Sequence, residues 1–259
     1  MSDLSSAVPD DAFDRWLAAL EARHLANLTF SEVTRALRAL SSAYVERRGP
    51  RALGAALAGE GKRAAFALFY GPLHFLLTRE IVRAVRPRDV STIVDLGCGT
   101  GAAGAAWASA FARRDAAHTP SILGIDKHPW AQTEAAATYR AFGLDASVRR
   151  GDVTSDVKTK GTTGIVAAFT VNELADDARA ALLTRLVEHA RRGHCVLVVE
   201  PLARSIAPWW NQWREAFASA GGRADEWRFR VDLPPLVAKL DRAAGLDHRE
   251  LTGRSIMTP

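Results

Sequence analysis

The sequence is poor in cysteine. Two cysteines, Cys98 and Cys195, occur among 259 residues. Both sit inside apolar runs and far apart, which excludes a disulfide framework and offers no metal-ligand spacing. No stretch of about 18 consecutive apolar residues is present, so no membrane-spanning helix is expected. The opening "MSDLSSAVPDDAFDRW" is acidic and lacks the apolar centre of a secretory signal. Basic residues form no block or tail. The formal charge of +5 is spread over short pairs such as Arg47-Arg48, Arg113-Arg114, Arg149-Arg150 and Arg191-Arg192. Dispersed pairs read first as solvated helix faces, although a positive surface also suits an anionic partner such as RNA. Internal repeats are absent, and alanine-rich helices are the one compositional bias. These absences point to a reducing, cytoplasmic setting without membrane or metal. They leave the oligomeric state open.

What is present composes an ordinary globular chain: 48% hydrophobic residues, 24% charged residues and seven tryptophans in both halves. The length suits one large domain, or a core domain with an appendage.

Two regimes follow one another along the chain. Residues 9–88 read as helices. Phe13, Trp16, Leu17, Leu20 and Leu25 recur at helical spacing, as do Val33, Leu37, Leu40 and Val45, with Ser31 or Thr29 placed to cap the second helix. Gly49-Pro50 signals a turn, and "LGAALAGEGK" reads as a mobile, glycine-rich connection. A third helical stretch, "KRAAFALFYGPLHFLLTREIVRAV", is bent or restarted at Gly71-Pro72, where proline removes a donor.

From about residue 89, short apolar runs alternate with amphipathic segments: "STIVDLG", "SILGID", "ASVRRGD", "GIVAAFT" and "HCVLVVEP" are the strands. This rhythm predicts a Rossmann-like, doubly wound α/β fold on a parallel sheet, with residues 1–88 as an all-helical cap and 89–259 as the main domain. A tryptophan-rich helix "IAPWWNQWREAFASA", a strand "EWRFRV", a helix "LPPLVAKLDRAAGL" and a strand near "HRELTGRSIM" complete the chain.

The most specific signal is "IVDLGCGTGAAGAAWA". A buried strand delivers Asp95, and Gly97, Gly99 and Gly101 then turn the chain into a helix, allowing the backbone to approach a ligand closely. The G-x-G-x-G spacing differs from the dinucleotide fingerprint, and no lysine follows to hold a phosphate.

This stretch resembles the first motif of the class I S-adenosylmethionine-dependent methyltransferases, whose sheet has seven strands. The resemblance implies that Gly97, Cys98, Gly99 and Gly101 lie under the methionine part of S-adenosyl-L-methionine, with Asp95 near its amino acid group. It also implies Asp126 as ribose ligand, Lys127 or Trp130 near the adenine, Asp152 as acceptor from the exocyclic amine and the Val153 backbone against the ring. The product would be S-adenosyl-L-homocysteine, with no metal required.

Ligands of such sheets bind at the carboxyl ends of the strands. The fourth strand therefore aims Thr170, Asn172 and Glu173 at the transferring methyl. Glu173 is a candidate base if burial raises its proton affinity, and Asn172 beside it is both a candidate helix cap and a candidate catalytic residue. Tyr70 and His74, four apart, can face one way from a closing helix, Tyr70 toward the cofactor and His74 as a base. Glu200 ends the fifth strand in the same cleft, and Trp209, Trp210 and Trp213 are candidates for walling an acceptor pocket.

The run "VNELADDARAALLTRLVEHARRGHCVLVVEPLARS" is similar to part of the Rsm22-like group, associated with the small ribosomal subunit, but the C-terminal cysteine cluster of that group is missing. A small-molecule methyltransferase is the first expectation. An RNA methyltransferase or ribosome-associated factor, and a cofactor-binding module without turnover, are the alternatives.

Overall fold

A computed structural model describes residues 11–46, 57–112, 119–155, 157–159, 161–203 and 207–259. The Gly49-Pro50 turn, most of the glycine-rich connection and the Arg47-Arg48 and Arg113-Arg114 pairs lie outside the described residues.

The chain opens with helices α1 (Asp11–His24), α2 (Phe30–Glu46) and α3 (Glu60–Ala65). A π-helical turn (Phe66–Tyr70) follows, then α4 (Gly71–Val85). Thr29, not Ser31, starts α2. Its amide donates to Glu32 Oε2 at 2.8 Å while its Oγ1 accepts from the Glu32 amide at 3.3 Å, a reciprocal capping box. The tail of the glycine-rich connection is already ordered, with Leu57 buried and α3 beginning at Glu60. Proline at position 72 does not break the helix. The register widens just before it, and the Gly71 amide donates to the Phe66 carbonyl five residues back.

The remaining elements are β1 (Thr92–Leu96), α5 (Ala102–Ala112), β2 (Ser121–Asp126), α6 (Pro129–Ala141), β3 (Ala146–Arg150), β4 (Thr163–Ala168), α7 (Asp176–Arg191), β5 (Cys195–Glu200), α8 (Trp210–Ala218), β6 (Arg223–Phe229), α9 (Pro235–Ala244) and β7 (Leu251–Met257). They form one seven-stranded sheet in the order β3-β2-β1-β4-β5-β7-β6. The first five strands pair parallel, while β7 runs antiparallel to both neighbours. The fold is thus Rossmann-like and doubly wound, with one reversed strand that the sequence rhythm did not reveal.

Alternation along the strands divides the core. Ile93, Val166, Leu197 and Val199 join one cluster, and Val94, Ile165, Val196 and Val198 the other. The first cluster takes side chains from α1 to α6 and α9, the second from α7 and α8. Phe13, Trp16 and Leu20 of α1 and Val33, Leu37 and Leu40 of α2 are buried in the first cluster, so the N-terminal helices share a core with the sheet. Trp16 also donates its indole N–H to Thr138 Oγ1 at 3.0 Å, which fixes α1 against the last turns of α6.

Candidate functional site

The turn after β1 is built from backbone. Gly97, Gly99 and Gly101 have φ of 65°, 51° and 76°, a region that side chains rarely tolerate. The Gly97 and Cys98 amides donate to the Ile125 carbonyl at 2.8 and 3.1 Å, tying the turn to β2. A Cβ on Gly97 would fall 2.5 Å from Thr170 Cγ2, so the turn packs directly on the end of β4. A Cβ on Gly99 would meet nothing nearer than the Gly97 carbonyl oxygen at 3.9 Å, because that position faces open space.

The three acids hold this wall in different ways. Asp95 is buried; its Oδ2 accepts from the Gly104 amide and the Tyr139 hydroxyl, both at 2.9 Å. Burial pushes its carboxyl up to about 6 against those hydrogen bonds. Asp126 Oδ2 accepts from the Gly99 amide at 3.0 Å and Oδ1 from the His128 amide at 2.8 Å. It therefore shapes the glycine turn and starts the next loop, with lone pairs to spare. Asp152 is exposed, and its Oδ1 accepts from the hydroxyl and amide of Thr154, which hold its carboxyl below the usual range.

At the end of β4 the structure corrects the expected cap. Asn172 does not start α7, which begins at Asp176 after Ala175. Residues Val171–Glu173 instead form a 3-10 turn. The Asn172 side chain is engaged elsewhere: its Nδ2 donates to Glu200 Oε2 at 2.5 Å, and its Oδ1 accepts from the Trp209 indole at 3.0 Å. Glu200, fully buried, also accepts the Val171 amide on Oε1 at 2.8 Å. Burial pushes its carboxyl up to about 8 and the nearby Glu173 charge adds to this, while the backbone amides and Arg254 oppose it. The indole fixes the orientation of the Asn172 amide, so Glu200 Oε2 faces a donor, an arrangement suited to its charged form.

Phe169, just before this turn, has φ of 56°, strained for an aromatic residue. Its ring stacks on His74 at 3.7 Å between centroids and 12° between planes. Burial pushes the His74 imidazole down to about 3, which keeps it neutral. Tyr70 and His74 do face one way, with rings 6.1 Å apart. The Tyr70 hydroxyl lies 3.2 Å from Ser41 Oγ on α2, and burial raises its proton affinity.

These parts enclose one cavity of about 590 Å³, within the range of small-molecule sites. Its floor is the glycine turn with Asp95, Cys98, Asp126, Lys127, Trp130, Asp152 and Val153. Its far wall carries Thr170, Asn172, Glu173 and Glu200, and its roof is Leu57, Phe66, Tyr70 and His74. Gly71 allows this roof to descend, since a Cβ there would already touch Thr100 Oγ1 at 3.3 Å.

The tryptophan expectation is corrected. Trp209, Trp210 and Trp213 are not among the residues lining the cavity. Their rings pack in the second core cluster with α7, and Trp209 reaches the site only through its bond to Asn172. The apolar stripe of α8 faces β6, β7 and α7, so burial there wins over exposure to a pocket. The sequence reading also missed lining residues: Phe66, Phe169, His248 and Glu250. Phe169 and His248 carry no motif; they reach the cavity through a strained strand end and the approach of β7 to β5. Among the described residues no group of three or more histidine, cysteine, aspartate or glutamate side chains is arranged to hold a metal, and no helix is long and apolar enough to cross a membrane.

No family model and no curated protein matches the chain. Solved structures do. A Listeria monocytogenes protein named a candidate class I S-adenosylmethionine-dependent methyltransferase is 12% identical, with a TM-score of 0.52 over 96% of this chain and 88% of that one. A Nostoc punctiforme protein named a candidate O-methyltransferase is also 12% identical, with a TM-score of 0.51 over 96% and 72%. Human N-acetylserotonin methyltransferase, solved with S-adenosylmethionine, is 17% identical, with a TM-score of 0.51 over 85% and 65%. At these identities the likeness is one of fold: the chain has the seven-stranded architecture of class I methyltransferases.

Proposed function

We propose that the chain is an S-adenosylmethionine-dependent methyltransferase acting on a small molecule, with residues 1–88 as a cap over the catalytic domain of residues 89–259. The observation that carries this reading is a cavity that joins a glycine turn and two strand-end acids to a polar wall under a helical roof. The residues fit the cofactor: Gly99 leaves the space that a side chain would fill, and Asp126 keeps acceptor capacity toward it.

When bound, the cofactor supplies an electrophilic methyl group on a sulfonium centre. Asp126 would accept from the ribose hydroxyls, while Lys127, Trp130, Asp152 and the Val153 backbone would border the base. Gly97, Cys98, Gly101, Asp95, Thr170 and Tyr70 would hold the amino acid end. Cys98 serves as packing, since burial pushes its thiol up and keeps it protonated. The protein then contributes orientation, holding the acceptor in line with the methyl group. Glu173 faces the acceptor as a carboxylate that accepts from its polar hydrogen, and Glu200 holds the Val171–Glu173 turn in place. His74 and Phe169 present a flat apolar wall to the acceptor. The "NEL" and "VVEP" segments that resemble the Rsm22-like group have a structural role of their own here, as the Asn172–Glu200–Trp209 network.

The test is methyl transfer from methyl-labelled S-adenosylmethionine into cell extract fractionated into RNA, protein and small molecules. Label is expected in the small-molecule fraction; label confined to RNA refutes the proposed acceptor class. Glu173→Gln is expected to lower turnover about tenfold or more while cofactor affinity stays within about twofold.

A further inference from the structure

A second polar pair stands beside the cavity and outside the glycine turn, with His248 in the lining and the buried Asp241 holding it. Helix α9 ends at Gly245, whose φ of 78° reverses the chain, with the Leu246 amide donating to the Asp241 carbonyl at 2.9 Å. The reversal brings His248 back over the last turn of α9. There the His248 amide donates to Asp241 Oδ2 at 2.9 Å, and its Nδ1 lies 2.5 Å from Asp241 Oδ1. Asp241 is buried, so both bonds hold the histidine backbone and ring at once. A carboxylate accepting from the ring puts the proton on Nδ1 and leaves Nε2 as an acceptor. His248 lines the cavity, its ring edge against Phe69, and Nε2 has no partner among the described residues.

We propose that His248, positioned by Asp241, is the general base that removes the proton from a hydroxyl group of a flat, apolar acceptor bound in this cavity. The proposal rests on the methyltransferase reading. An uncharged amine offers its lone pair without a base, whereas a hydroxyl becomes a competent nucleophile as its proton leaves. In the step, the acceptor oxygen bonds to the methyl carbon and the sulfur–carbon bond breaks with its electron pair staying on sulfur. The hydroxyl proton passes to Nε2, and the resulting imidazolium keeps its Nδ1–H bond to Asp241. The other two cavity histidines suit this task poorly: the His74 ring is stacked flat on Phe169, and His128 Nδ1 accepts from the Trp130 amide at 3.2 Å, which leaves its Nε2 a donor. Glu173 approaches from the opposite strand end and orients the same hydroxyl. The apolar roof, with Phe66 and Leu73, sets the acceptor's character.

Two readouts test the proposal on the full chain. Nitrogen-15 spectra of the wild-type imidazoles, with His248 assigned from His248→Gln, are expected to show Nδ1 protonated and Nε2 bare. Asp241→Asn is expected to abolish that preference. In transfer assays with a panel of simple phenols and aromatic amines, His248→Gln is expected to lower kcat at least about a hundredfold, with S-adenosylmethionine affinity within about twofold by calorimetry. Asp241→Asn is expected to lower kcat about tenfold, again with affinity retained. A proton on Nε2 overturns the proposal, as does His248→Gln keeping more than about a tenth of the wild-type kcat, or label entering the amines and not the phenols. Because the tautomer is read on the wild-type chain, that readout needs no activity from either variant, and only His248→Gln has to fold for the assignment. Failure of the wild type to bind S-adenosylmethionine refutes the methyltransferase reading itself, whatever the tautomer.

Discussion

The two ends of the cavity are made by different means. At the glycine end, backbone does the work: positive-φ glycines, amides tied to the Ile125 carbonyl and an aspartate that organises the turn. At the far end, side chains from segments distant in sequence converge, with His74 from α4, Phe169 and Glu173 after β4, Glu200 from β5 and His248 before β7. A backbone cradle suits a ligand that is always the same, and a wall of side chains suits one that must be selected. The first should therefore control affinity for the cofactor and the second turnover.

The largest test of this contrast is Gly97→Ala. It forces a side chain into a left-handed conformation and drives its Cβ against Thr170, so a loss of about 2–5 kcal/mol of stability is expected in denaturant unfolding. A neutral result would show that the turn is not constrained by the end of β4. Asp126→Ala comes next. Removing a carboxylate that also holds the Gly99 and His128 amides is expected to weaken S-adenosylmethionine binding about 10–100-fold in calorimetry. Affinity that survives this change while falling in Glu173→Gln would invert the contrast.

The smallest effect is a slope. Glu200 carries its proton up to about 8 when folded but near 4.5 in an unfolded chain, so across that window the native state binds more protons. Its contribution to stability is complete below about 4.5 and is lost as pH rises toward 8. Asp95 acts in the same sense between 3.8 and about 6, whereas His74, pushed down to about 3, acts in the opposite sense and favours the folded state above 6.5. The difference between wild type and Glu200→Gln isolates the Glu200 part. Thermal unfolding of the variant should fall less steeply from pH 5 to 8, and parallel curves would show Glu200 to be ionised throughout.

Much of the glycine end was legible because its constraints are local. A strand, a glycine-rich turn and a helix follow one another within residues 92–112, and the acids that end β2 and β3 sit where any parallel strand delivers them. The cap of α2, narrowed to Ser31 or Thr29, and the burial of Ile93 and Val94 in β1 were legible for the same reason. The polar edge misled at Asn172, since a residue with good capping chemistry before a helical pattern looks like a cap whether or not a better partner waits elsewhere. Glu200 and Trp209 were that partner, and no spacing announces a contact made across two strands and a helix. The tryptophans misled likewise, because three indoles can wall a pocket or fill a core, and the direction of α8 decides which.

By itself, then, the sequence determined the order of strands and helices along the chain, the apolar stripes of the first two helices and the glycine turn. These depend on periodicity and backbone freedom, which are properties of neighbouring residues. Tertiary structure decided the antiparallel entry of β7 beside β5, the descent of α4 onto the turn at Gly71, and with them which side chains meet in the cavity. His248 shows the division most plainly. Its helix-ending glycine is visible in the sequence, yet its place in the same cavity as Glu173 exists only because the sheet brings the segments after β4 and before β7 together.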